Sequence, residues 1–543
     1  MATLHEQLNT YRADVAAAIA SLNRNNILPR IWNQDHTVWH PQPTEISNRL
    51  GWLSSASTMR SNITQMREFA ENLRADGYNH IVLLGMGGSS LAPEVFSHIF
   101  GPDHDGFSLE IVDTTDADAI RVLAERLEPE HTFFIVSTKS GGTVETLSAF
   151  KLFYNWVTAS RNTSEAGQAF AAITDPGSSL EKLSHDHNFR AVFLNDPDIG
   201  GRYSALSYFG LLPATLIGID VAQLLDRTEV MISACRLATA ENPGLRLGAM
   251  LGALANSGRD KVTFFVSPGL ANFGDWIEQL VAESTGKNGK GILPVVGEPA
   301  GPVDVYGRDR FFVYLHLEAD ETYTQTINDL AAAEYPVLTI HLQDRYELGG
   351  QLFLWEMATV VAGHLLGIHP FDQPNVESAK VQARKMVQAY QATGELPEDE
   401  IQTPDAAALQ SFLSQARPGD YVAVQAYVPP SPEMDEALTA LRLSIRQQTQ
   451  CATTVGYGPR FLHSTGQLHK GDRGNGLFIQ FVNQTIQDVP IPDNAGKSSS
   501  TMSFGVLKLA QALGDAAALR AENRRLIRFS LSDNPVAEIR NLS

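Results

Sequence analysis

The chain has 543 residues, of which 43% are hydrophobic and 19% are charged, and these proportions are ordinary for a water-soluble globular protein. Its length exceeds what one hydrophobic core usually supports, so we expect two or three domains. The formal net charge of −20 excludes strong long-range attraction to nucleic acid or to an anionic membrane. An anionic ligand would therefore need a local pocket of positive charge and backbone N–H groups.

The cysteines and the apolar segments indicate where such a protein works. Cys235 and Cys451 are far apart and in no CxxC pattern, so we expect neither a disulfide framework nor a thiolate zinc site. A reducing cytoplasm is the simplest compartment. Acidic residues interrupt the amino-terminal segment, so we expect no signal peptide. The longest apolar stretch, 352–368, contains Glu356 and His364 and is predicted to be a buried helix rather than a membrane span.

The first part of the chain combines a helical segment with an α/β pattern. Residues 1–75 are predicted to be mainly helical and to form a cap. From Ile81 onward, continuous apolar strands alternate with helices, which is typical of a parallel sheet covered on both faces. The strands predicted for this unit are 81–85, 108–113, 132–137, 169–174 and 190–194.

The alternating pattern restarts after a helical connection at about 205–257, so a second α/β unit of similar size is predicted. Its strands are predicted at 261–267, 292–296, 310–317 and 336–342, with helices at 272–283, 322–333 and 349–366. The acidic, proline-bearing segment 391–405 indicates a linker or domain edge. Beyond it we predict strands at 420–427 and 477–482 and helices at 432–447 and 503–526, the last of them capped by the serines of 498–503.

Two segments share the pattern of a buried strand, a loop of glycines and hydroxyls, and the start of a helix. They are IVLLGMGGSS at 81–90 and FIVSTKSGGTVET at 134–146. This arrangement aims backbone N–H groups and hydroxyls at one spot beside a helix N-terminus, which suits a phosphate. Helix capping alone explains the second loop poorly, because two adjacent glycines and a lysine accompany its hydroxyls. We therefore predict that a phosphorylated small molecule binds to the second loop, which carries Ser137, Thr138, Lys139, Ser140 and Thr143.

The first loop also allows two other interpretations. In a dinucleotide-binding protein, Asp113 at the end of the next strand would hold a ribose hydroxyl, but the fingerprint requires a third glycine where Ser90 stands. A tight turn without any ligand is the second alternative. A sugar or phosphate contact is the favoured interpretation.

Further segments carry single candidate residues. GGRYSALS at 200–207 places Arg202 on a glycine turn, either to stabilise a developing oxyanion or to lie in solvent as most arginines do. AESTGKNGKG at 282–291 lacks the glycine and hydroxyl positions of a nucleotide-binding P-loop. It leaves Glu283 at a helix end, either as a general base or as a solvated glutamate.

Lysine and histidine candidates follow later in the chain. FDQPNVESAK at 371–380 turns at a proline and enters a helix that bears Lys380, and GYGPRFLHSTGQLHKG at 456–471 is a loop with His463 and His469. His185 and His187 lack a third metal ligand, so they are interpreted as part of a surface loop.

Taken together, GMGGSSLAP, STKSGGTVET, GGRYS, ESTGK, FDQPNVESAK and LHSTGQ resemble the phosphoglucose isomerase family from about residue 45 to about residue 515. The resemblance implies an α/β fold of two doubly wound parallel-sheet sugar isomerase (SIS) domains, with a helical N-terminal cap and a C-terminal α/β extension. The expected boundaries are 1–75 for the cap, 76–230 and 231–390 for the two SIS domains, and 391–543 for the extension that carries the His463 loop.

The resemblance also implies an activity, which is the reversible isomerisation of glucose 6-phosphate to fructose 6-phosphate through a cis-enediol. It implies no metal, nucleotide or redox cofactor, a cytoplasmic location and a homodimer. Arg202 would steady the enediolate, Glu283 would move a proton between C1 and C2, and Lys380 and His463 would assist ring opening. The residues implied to hold the substrate are Gly87, Gly88 and Ser89 beside the sugar, and Ser137, Thr138, Lys139, Ser140 and Thr143 in the phosphate loop.

The order of the motifs departs from the usual family pattern, in which the histidine segment lies between the glutamate and the lysine. Here the order is Glu283, Lys380 and then His463, so the block from about 456 to 515 is relocated behind the lysine. In this the chain resembles the isomerase portion of transaldolase–isomerase fusions, although no transaldolase portion is present. His469 is the reserve candidate for the ring-opening histidine.

Two other classes of protein are also compatible with parts of this sequence. A non-catalytic sugar-phosphate sensor on the same fold would keep the 137–143 loop without needing Glu283, Lys380 and His463. A Rossmann-type oxidoreductase would need the 85–90 loop to hold NAD.

Overall fold

The computed structural model describes residues 3–101, 106–160, 163–485 and 487–543. Strands and helices alternate over most of these residues, as the sequence predicts. The strands are β1 (Thr3–Gln7), β2 (His80–Leu84), β3 (Ser108–Val112), β4 (Thr132–Ser137), β5 (Phe170–Thr174), β6 (Ala191–Leu194), β7 (Lys261–Val266), β8 (Leu293–Val295), β9 (Arg310–Leu317), β10 (Val337–Leu342), β11 (Tyr421–Tyr427), β12 (Ala452–Tyr457), β13 (Gly476–Asn483), β14 (Pro490–Ile491), β15 (Met502–Ser503) and β16 (Arg525–Leu531).

The helices cover the sheets and form most of the N-terminal cap. They are α1 (Arg12–Arg24), α2 (Ile27–Trp32), α3 (Trp52–Arg60), α4 (Ile63–Ala75), α5 (Leu91–Phe100), α6 (Ala117–Arg126), α7 (Val144–Ser160), α8 (Thr163–Ala166), α9 (Ser179–Asp186), α10 (Tyr208–Leu216), α11 (Val221–Cys235), α12 (Pro243–Asn256), α13 (Phe273–Thr285), α14 (Thr324–Ala332), α15 (Leu348–Leu366), α16 (Val376–Thr393), α17 (Ala406–Leu413), α18 (Pro432–Thr449), α19 (Gly466–Gly471), α20 (Phe504–Ala521) and α21 (Pro535–Arg540).

The longer strands form three sheets, in which nearly every neighbouring pair is parallel. The first has the order β3-β2-β4-β5-β6, and the second has the order β1-β10-β9-β7-β8 with only the edge strand β1 antiparallel. The third has the order β12-β11-β13-β16, and β14 and β15 form a separate antiparallel pair. The predicted α/β class with parallel sheets is confirmed.

The strands predicted for the first two sheets all form, with bounds within one residue of those predicted. The reason is that most of these strands are buried on both faces and therefore carry continuous apolar runs. Every residue of β4, for example, is buried. A run of this kind bounded by glycines and polar residues is a local signal, so the sequence alone suffices to find it.

Five strands, β1, β12, β14, β15 and β16, were not predicted. The N-terminal segment holds four helices as expected, but Thr3–Gln7 pairs with β10 as an edge strand, and its polar residues conceal it in the sequence. The helix predicted to reach residue 526 ends at Ala521, because Asn523 has a φ of +53° and turns the chain into β16. At the other end of that helix, Ser503 accepts a hydrogen bond from the Val506 N–H, as the predicted cap requires.

The first two sheets share one continuous hydrophobic core, whereas the third has a core of its own against α17, α18 and α21. The helix α15 belongs to this shared core and nearly every one of its residues is buried, so the prediction of a buried helix at 352–368 is confirmed. Among the described residues, no helix is both long and apolar enough to cross a membrane.

The first sheet has a topological switch point between β2 and β4. These two strands are neighbours, but β2 leads to β3 on one side while β4 leads to β5 on the other. Ligands of open α/β sheets bind in the crevice outside the carboxyl ends of such strands. Both glycine-rich loops follow these two strands, so the fold places them side by side at this crevice.

Candidate active site

The first glycine loop is pressed against two other segments of the site. A Cβ atom added to Gly88 would lie 2.1 Å from the Gly201 carbonyl oxygen, so only glycine allows the backbones to approach this closely. Gly87 has a φ of +54°, and a Cβ there would lie 2.9 Å from both Gln279 Nε2 and the His463 carbonyl oxygen. The loops of residues 85–90 and 200–204, the helix α13 and the His463 segment therefore meet at one point.

The second loop is held by its own hydroxyls and by the first. Thr138 Oγ1 and Thr143 Oγ1 lie 2.8 Å apart across the loop, and Ser137 Oγ donates to the Ser89 carbonyl oxygen at 3.2 Å. The ammonium of Lys139 pairs with Asp175 and donates to the Pro197 carbonyl oxygen. Lys139 therefore lies in the predicted phosphate loop, but in this structure its charge ties the loop to the chain after β5.

Arg202 is buried and anchored on four sides. Its Nε donates to Ser284 Oγ at 2.8 Å, its Nη1 donates to Gln373 Oε1 at 2.9 Å, and its Nη2 donates to the carbonyl oxygens of Pro370 and Asp372 at 2.7 and 3.1 Å. The short 3₁₀ turn at Gly201–Tyr203 directs the side chain inward. The interpretation of Arg202 as an ordinary surface arginine is therefore wrong.

Glu283 lies on the last turn of α13, beside Arg202. Its Oε1 is 3.5 Å from Arg202 Nη1, and its Oε2 accepts from Gln279 Nε2 at 3.2 Å. The same amide donates to the His463 carbonyl oxygen at 2.8 Å. Since its side chain is only 14% exposed, Glu283 is not the solvated helix-end glutamate of the alternative interpretation.

His463 ends a short 3₁₀ turn after β12, and its ring is paired with a carboxylate that the sequence did not single out. His463 Nε2 lies 3.1 Å from Glu145 Oε1, and Gln511 Nε2 donates to the same oxygen at 2.6 Å. Burial favours a raised pKa for Glu145, but the charge and hydrogen bond of His463 outweigh it, so the pKa is lowered overall. A carboxylate only accepts, so Nε2 carries hydrogen and Nδ1 is free to exchange a proton.

A cavity of about 430 Å³ lies beside the second loop. Ser140, Gly142 and Thr143 of the second loop line it, together with Lys380 and His463. Glu283 and Arg202 do not line this cavity. The Gln279 amide bonds both to Glu283 and to the His463 carbonyl oxygen, so Glu283 and Arg202 lie next to the His463 segment that borders the cavity.

The reserve candidate His469 lies in the interior of the C-terminal region, away from this cavity. It is 2% exposed and packs against the rings of Tyr421, Phe461 and Phe478. Neither ring nitrogen has a hydrogen-bond partner among the described residues, and burial places the pKa well below its usual value. Of the two histidines, the structure brings His463 to the site and leaves His469 in the core.

The structure also bears on the dinucleotide interpretation of Asp113 and on His185 and His187. Asp113, which a dinucleotide would need for its ribose, is buried and engaged by Arg460 Nη1 at 3.3 Å and by Ser90 Oγ at 3.3 Å. His187 packs against the rings of Phe150 and Tyr154 rather than beside His185 as a ligand pair. Within the described ranges, no group of three or more His, Cys, Asp or Glu side chains has the arrangement of a metal site.

The comparisons with known proteins agree with this geometry. The sequence profile of phosphoglucose isomerase matches residues 53–307. A glucose-6-phosphate isomerase from Rubrobacter xylanophilus is 30% identical over 373 residues, which cover 59% of this chain and 85% of that protein. The chain belongs to the phosphoglucose isomerase family. The predicted family is thus confirmed.

Other members and structures extend the comparison. A glucose-6-phosphate isomerase from Heliobacterium modesticaldum is 28% identical over 399 residues, which cover 64% of this chain and 89% of that protein. The crystal structure of a glucose-6-phosphate isomerase from Chlamydia trachomatis is 16% identical, with a TM-score of 0.63, and the match covers 76% of this chain and 92% of that one. A hypothetical protein from Thermus thermophilus has a TM-score of 0.61 at 24% identity, covering 70% and 99% of the two chains. These two structures share the fold.

Four site residues of this family member were not assigned a role from sequence. Gln279 lies four positions before Glu283 on one helix, so helical spacing could have found it. Glu145 stands in the first turn of α7, directly after the predicted phosphate loop, and Gln373 belongs to the FDQPN segment. Gln511 carries no local signal, because it reaches Glu145 from a helix 366 positions away.

Proposed function

We propose that this protein interconverts glucose 6-phosphate and fructose 6-phosphate by proton transfer through a cis-enediol. The observation that carries the proposal is the approach of Arg202 Nη1 to within 3.5 Å of Glu283 Oε1, in a chain of the phosphoglucose isomerase family. A carboxylate beside an arginine supplies both a base for a carbon-bound proton and a positive charge for the oxyanion that forms.

The phosphate of the sugar is expected to bind at the second glycine loop. The hydroxyls of Thr138, Ser140 and Thr143 and the N–H groups at the start of α7 converge there, which suits a dianion. Binding energy from this remote group holds the reacting carbons near the base and lowers the entropic part of the barrier. Lys380, which lines the same cavity, adds positive charge.

Ring opening is assigned to His463 together with Lys380. Glu145 holds His463 Nε2, so Nδ1 is the nitrogen that gives a proton to the ring oxygen or takes one from it. Lys380 lines the same cavity and is placed to stabilise the charge on the sugar hydroxyls as the ring opens.

Isomerisation of the open chain is assigned to Glu283. Its carboxylate removes the C2 proton, the electron pair forms the C1–C2 double bond, and the carbonyl oxygen at C1 becomes the enediolate oxygen. Arg202 stabilises that charge, the hydroxyl proton of O2 passes to O1, and Glu283 then returns its own proton to C1 as the carbonyl forms at C2.

We further propose that two chains associate as a homodimer in the cytoplasm, as the family resemblance implies. The contacts described among Glu145, Arg202, Glu283 and His463 all lie within one chain. The proposed dimer is therefore not needed to bring these four residues together.

The experiment is a coupled assay in which fructose 6-phosphate is supplied and glucose 6-phosphate is oxidised by an added dehydrogenase with formation of NADPH. We expect steady NADPH formation that depends on this protein and stops in the Glu283→Gln variant. Binding of a sugar phosphate without turnover in the wild type would instead indicate the sensor class. A thermal shift with NAD and none with a sugar phosphate would indicate the oxidoreductase class.

A further inference from the structure

The helix α20 presents a stripe of buried polar side chains to the site. Lys508, Gln511 and Asp515 are spaced by three and four positions, so they share one helix face. Lys508 Nζ lies 2.9 Å from Asp116 Oδ2, and Asp515 pairs with Lys470. Polar groups this deeply buried are costly unless they are paired, so the stripe is tied to specific partners.

Gln511 is the member of this stripe that reaches the ring-opening pair. Its Nε2 donates to Glu145 Oε1 at 2.6 Å, and its Oε1 accepts from Thr115 Oγ1 at 2.9 Å. The opposite amide orientation would place Oε1 against the carboxylate, so Thr115 and Glu145 together fix the amide. Thr115, Gln511 and Glu145 are all buried, at 0%, 4% and 6% exposed.

We propose that Gln511, oriented by Thr115, is a positioning residue that fixes the direction and the charge of the Glu145 carboxylate against His463. The contact between Gln511 and Glu145 is present in the folded protein whatever reaction it catalyses. Only the expected change in kinetics rests on the proposed function. This positioning role gives α20 control over the Glu145–His463 pair, which exchanges protons during ring opening.

The direction of the effect follows from the proton count of the pair. The hydrogen bond from Gln511 stabilises Glu145 most when that carboxylate is charged and His463 is neutral. Loss of this donor destabilises the deprotonated pair, so the pair gives up its proton at a higher pH. A hydrogen bond to a buried charge changes a pKa by on the order of one pH unit.

Other charged and titratable groups face the pair and stay in place when Gln511 is changed. Lys380 on α16 lowers the pKa of Glu145, and Asp113 at the end of β3 interacts with the His463 charge. Tyr427 on β11 faces Glu145 from the third sheet, and burial keeps the pKa of Tyr427 well above its usual value. None of these three groups contacts Gln511 through a hydrogen bond among the described residues, so the variant isolates the amide.

The experiment measures the titration of His463 directly and the kinetics separately. Gln511→Met keeps the length and volume of the side chain and removes both hydrogen bonds. The His463 C2–H resonance, assigned by its absence in His463→Asn, is followed by NMR against pH in the free protein. We expect its midpoint, and the matching limb of the kcat/KM profile for fructose 6-phosphate, to move up by about one pH unit in Gln511→Met.

Two further variants make the result decisive. Thr115→Val releases the amide without removing it, so a smaller shift in the same direction is expected even if Gln511→Met does not fold. Gln425→Leu is the matched control, because it also loses a buried amide but lies on β11 with Gln480 as its hydrogen-bond partner, and its midpoint should equal that of the wild type. An unchanged midpoint in folded Gln511→Met and Thr115→Val overturns the inference. If the midpoint shifts in the variants but the wild type shows no isomerase activity, the proposed function alone is overturned and the positioning role of Gln511 stands.

Discussion

The two sides of the site differ in how they hold their positive charges. Arg202 is 4% exposed and donates hydrogen bonds to three carbonyl or amide oxygens and one hydroxyl. Lys380 is exposed on α16, a helix in which Ala379 is the one residue that the structure buries. Arg202 therefore serves both the fold and the proposed chemistry, whereas Lys380 is available to the ligand without holding the fold together.

This difference separates the effects that substitutions should have. A change on the Arg202 side removes activity and also leaves buried acceptors without donors, which costs stability. A change at Lys380 removes charge from the cavity and leaves the core untouched. The proposed base Glu283 lies on the Arg202 side but is not fully enclosed, so it allows the chemistry to be tested first.

The largest effect is expected from Glu283→Gln. We expect kcat to fall by at least about 10²–10⁴-fold, because the amide cannot accept the C2 proton. Binding of 6-phosphogluconate, measured by calorimetry, should persist because the phosphate loop is unchanged. The control Glu229→Gln lies exposed on α11 and should match the wild type. Near-normal turnover in Glu283→Gln would remove this residue from its role.

The next effect is expected from Arg202→Lys, which keeps the charge and loses the planar fork. We expect kcat to fall by about 10²–10³-fold and the free energy of unfolding to fall by about 2–4 kcal/mol, because buried acceptors lose their donors. Urea unfolding and the coupled assay measure the two. The control Arg67→Lys changes a half-exposed arginine paired with Asp220 and should alter neither. Full stability in Arg202→Lys would contradict the anchoring described for this side chain.

Lys380→Met should reduce kcat/KM by about 10–10²-fold without changing the free energy of unfolding by more than about 0.5 kcal/mol. The matched control is Lys385→Met on the same helix, which does not line the cavity. If Lys380→Met destabilised the protein as much as Arg202→Lys, the two sides of the site would not differ as the exposure of these residues indicates.

The sequence predicted one side of the site better than the other for a physical reason. The strand, loop and helix around Lys139 and Arg202 are contiguous segments whose glycines and apolar runs specify local structure. The His463 side depends on contacts between distant segments, such as Gln511 with Glu145, and no local pattern specifies them. His463 and His469 have similar sequence surroundings, and only burial in the third sheet's packing separates them.

A separate effect is expected in the pH dependence of stability, through Glu278 on α13. Burial and the neighbouring Asp275 raise the pKa of Glu278 from 4.5 to about 8, and Ser464, next to His463, donates to its Oε1 at 3.2 Å. Between these two pH values the folded protein keeps a proton that the unfolded chain has released, so stability falls as the pH rises through this window.

Glu278→Gln removes this titration and keeps the shape of the side chain. We expect the variant to gain stability relative to the wild type by about 2–5 kcal/mol between pH 5 and pH 8, measured by urea unfolding at several pH values. Below pH 4.5 the two proteins should differ little from this cause. Parallel stability profiles for the two proteins across the whole range would contradict the raised pKa.

The smallest effect, no change at all, is expected when the protein is diluted. His463 and Glu145 pair within one chain, and so do Arg202 and Glu283, since the relocated segment after Lys380 delivers the histidine from the third sheet of the same chain. Turnover per chain should therefore stay constant from micromolar to nanomolar concentration, while light scattering reports whether the proposed dimer dissociates. A fall in turnover that tracks dissociation would show that the site needs its partner, and that the single-chain arrangement of its two sides is incomplete.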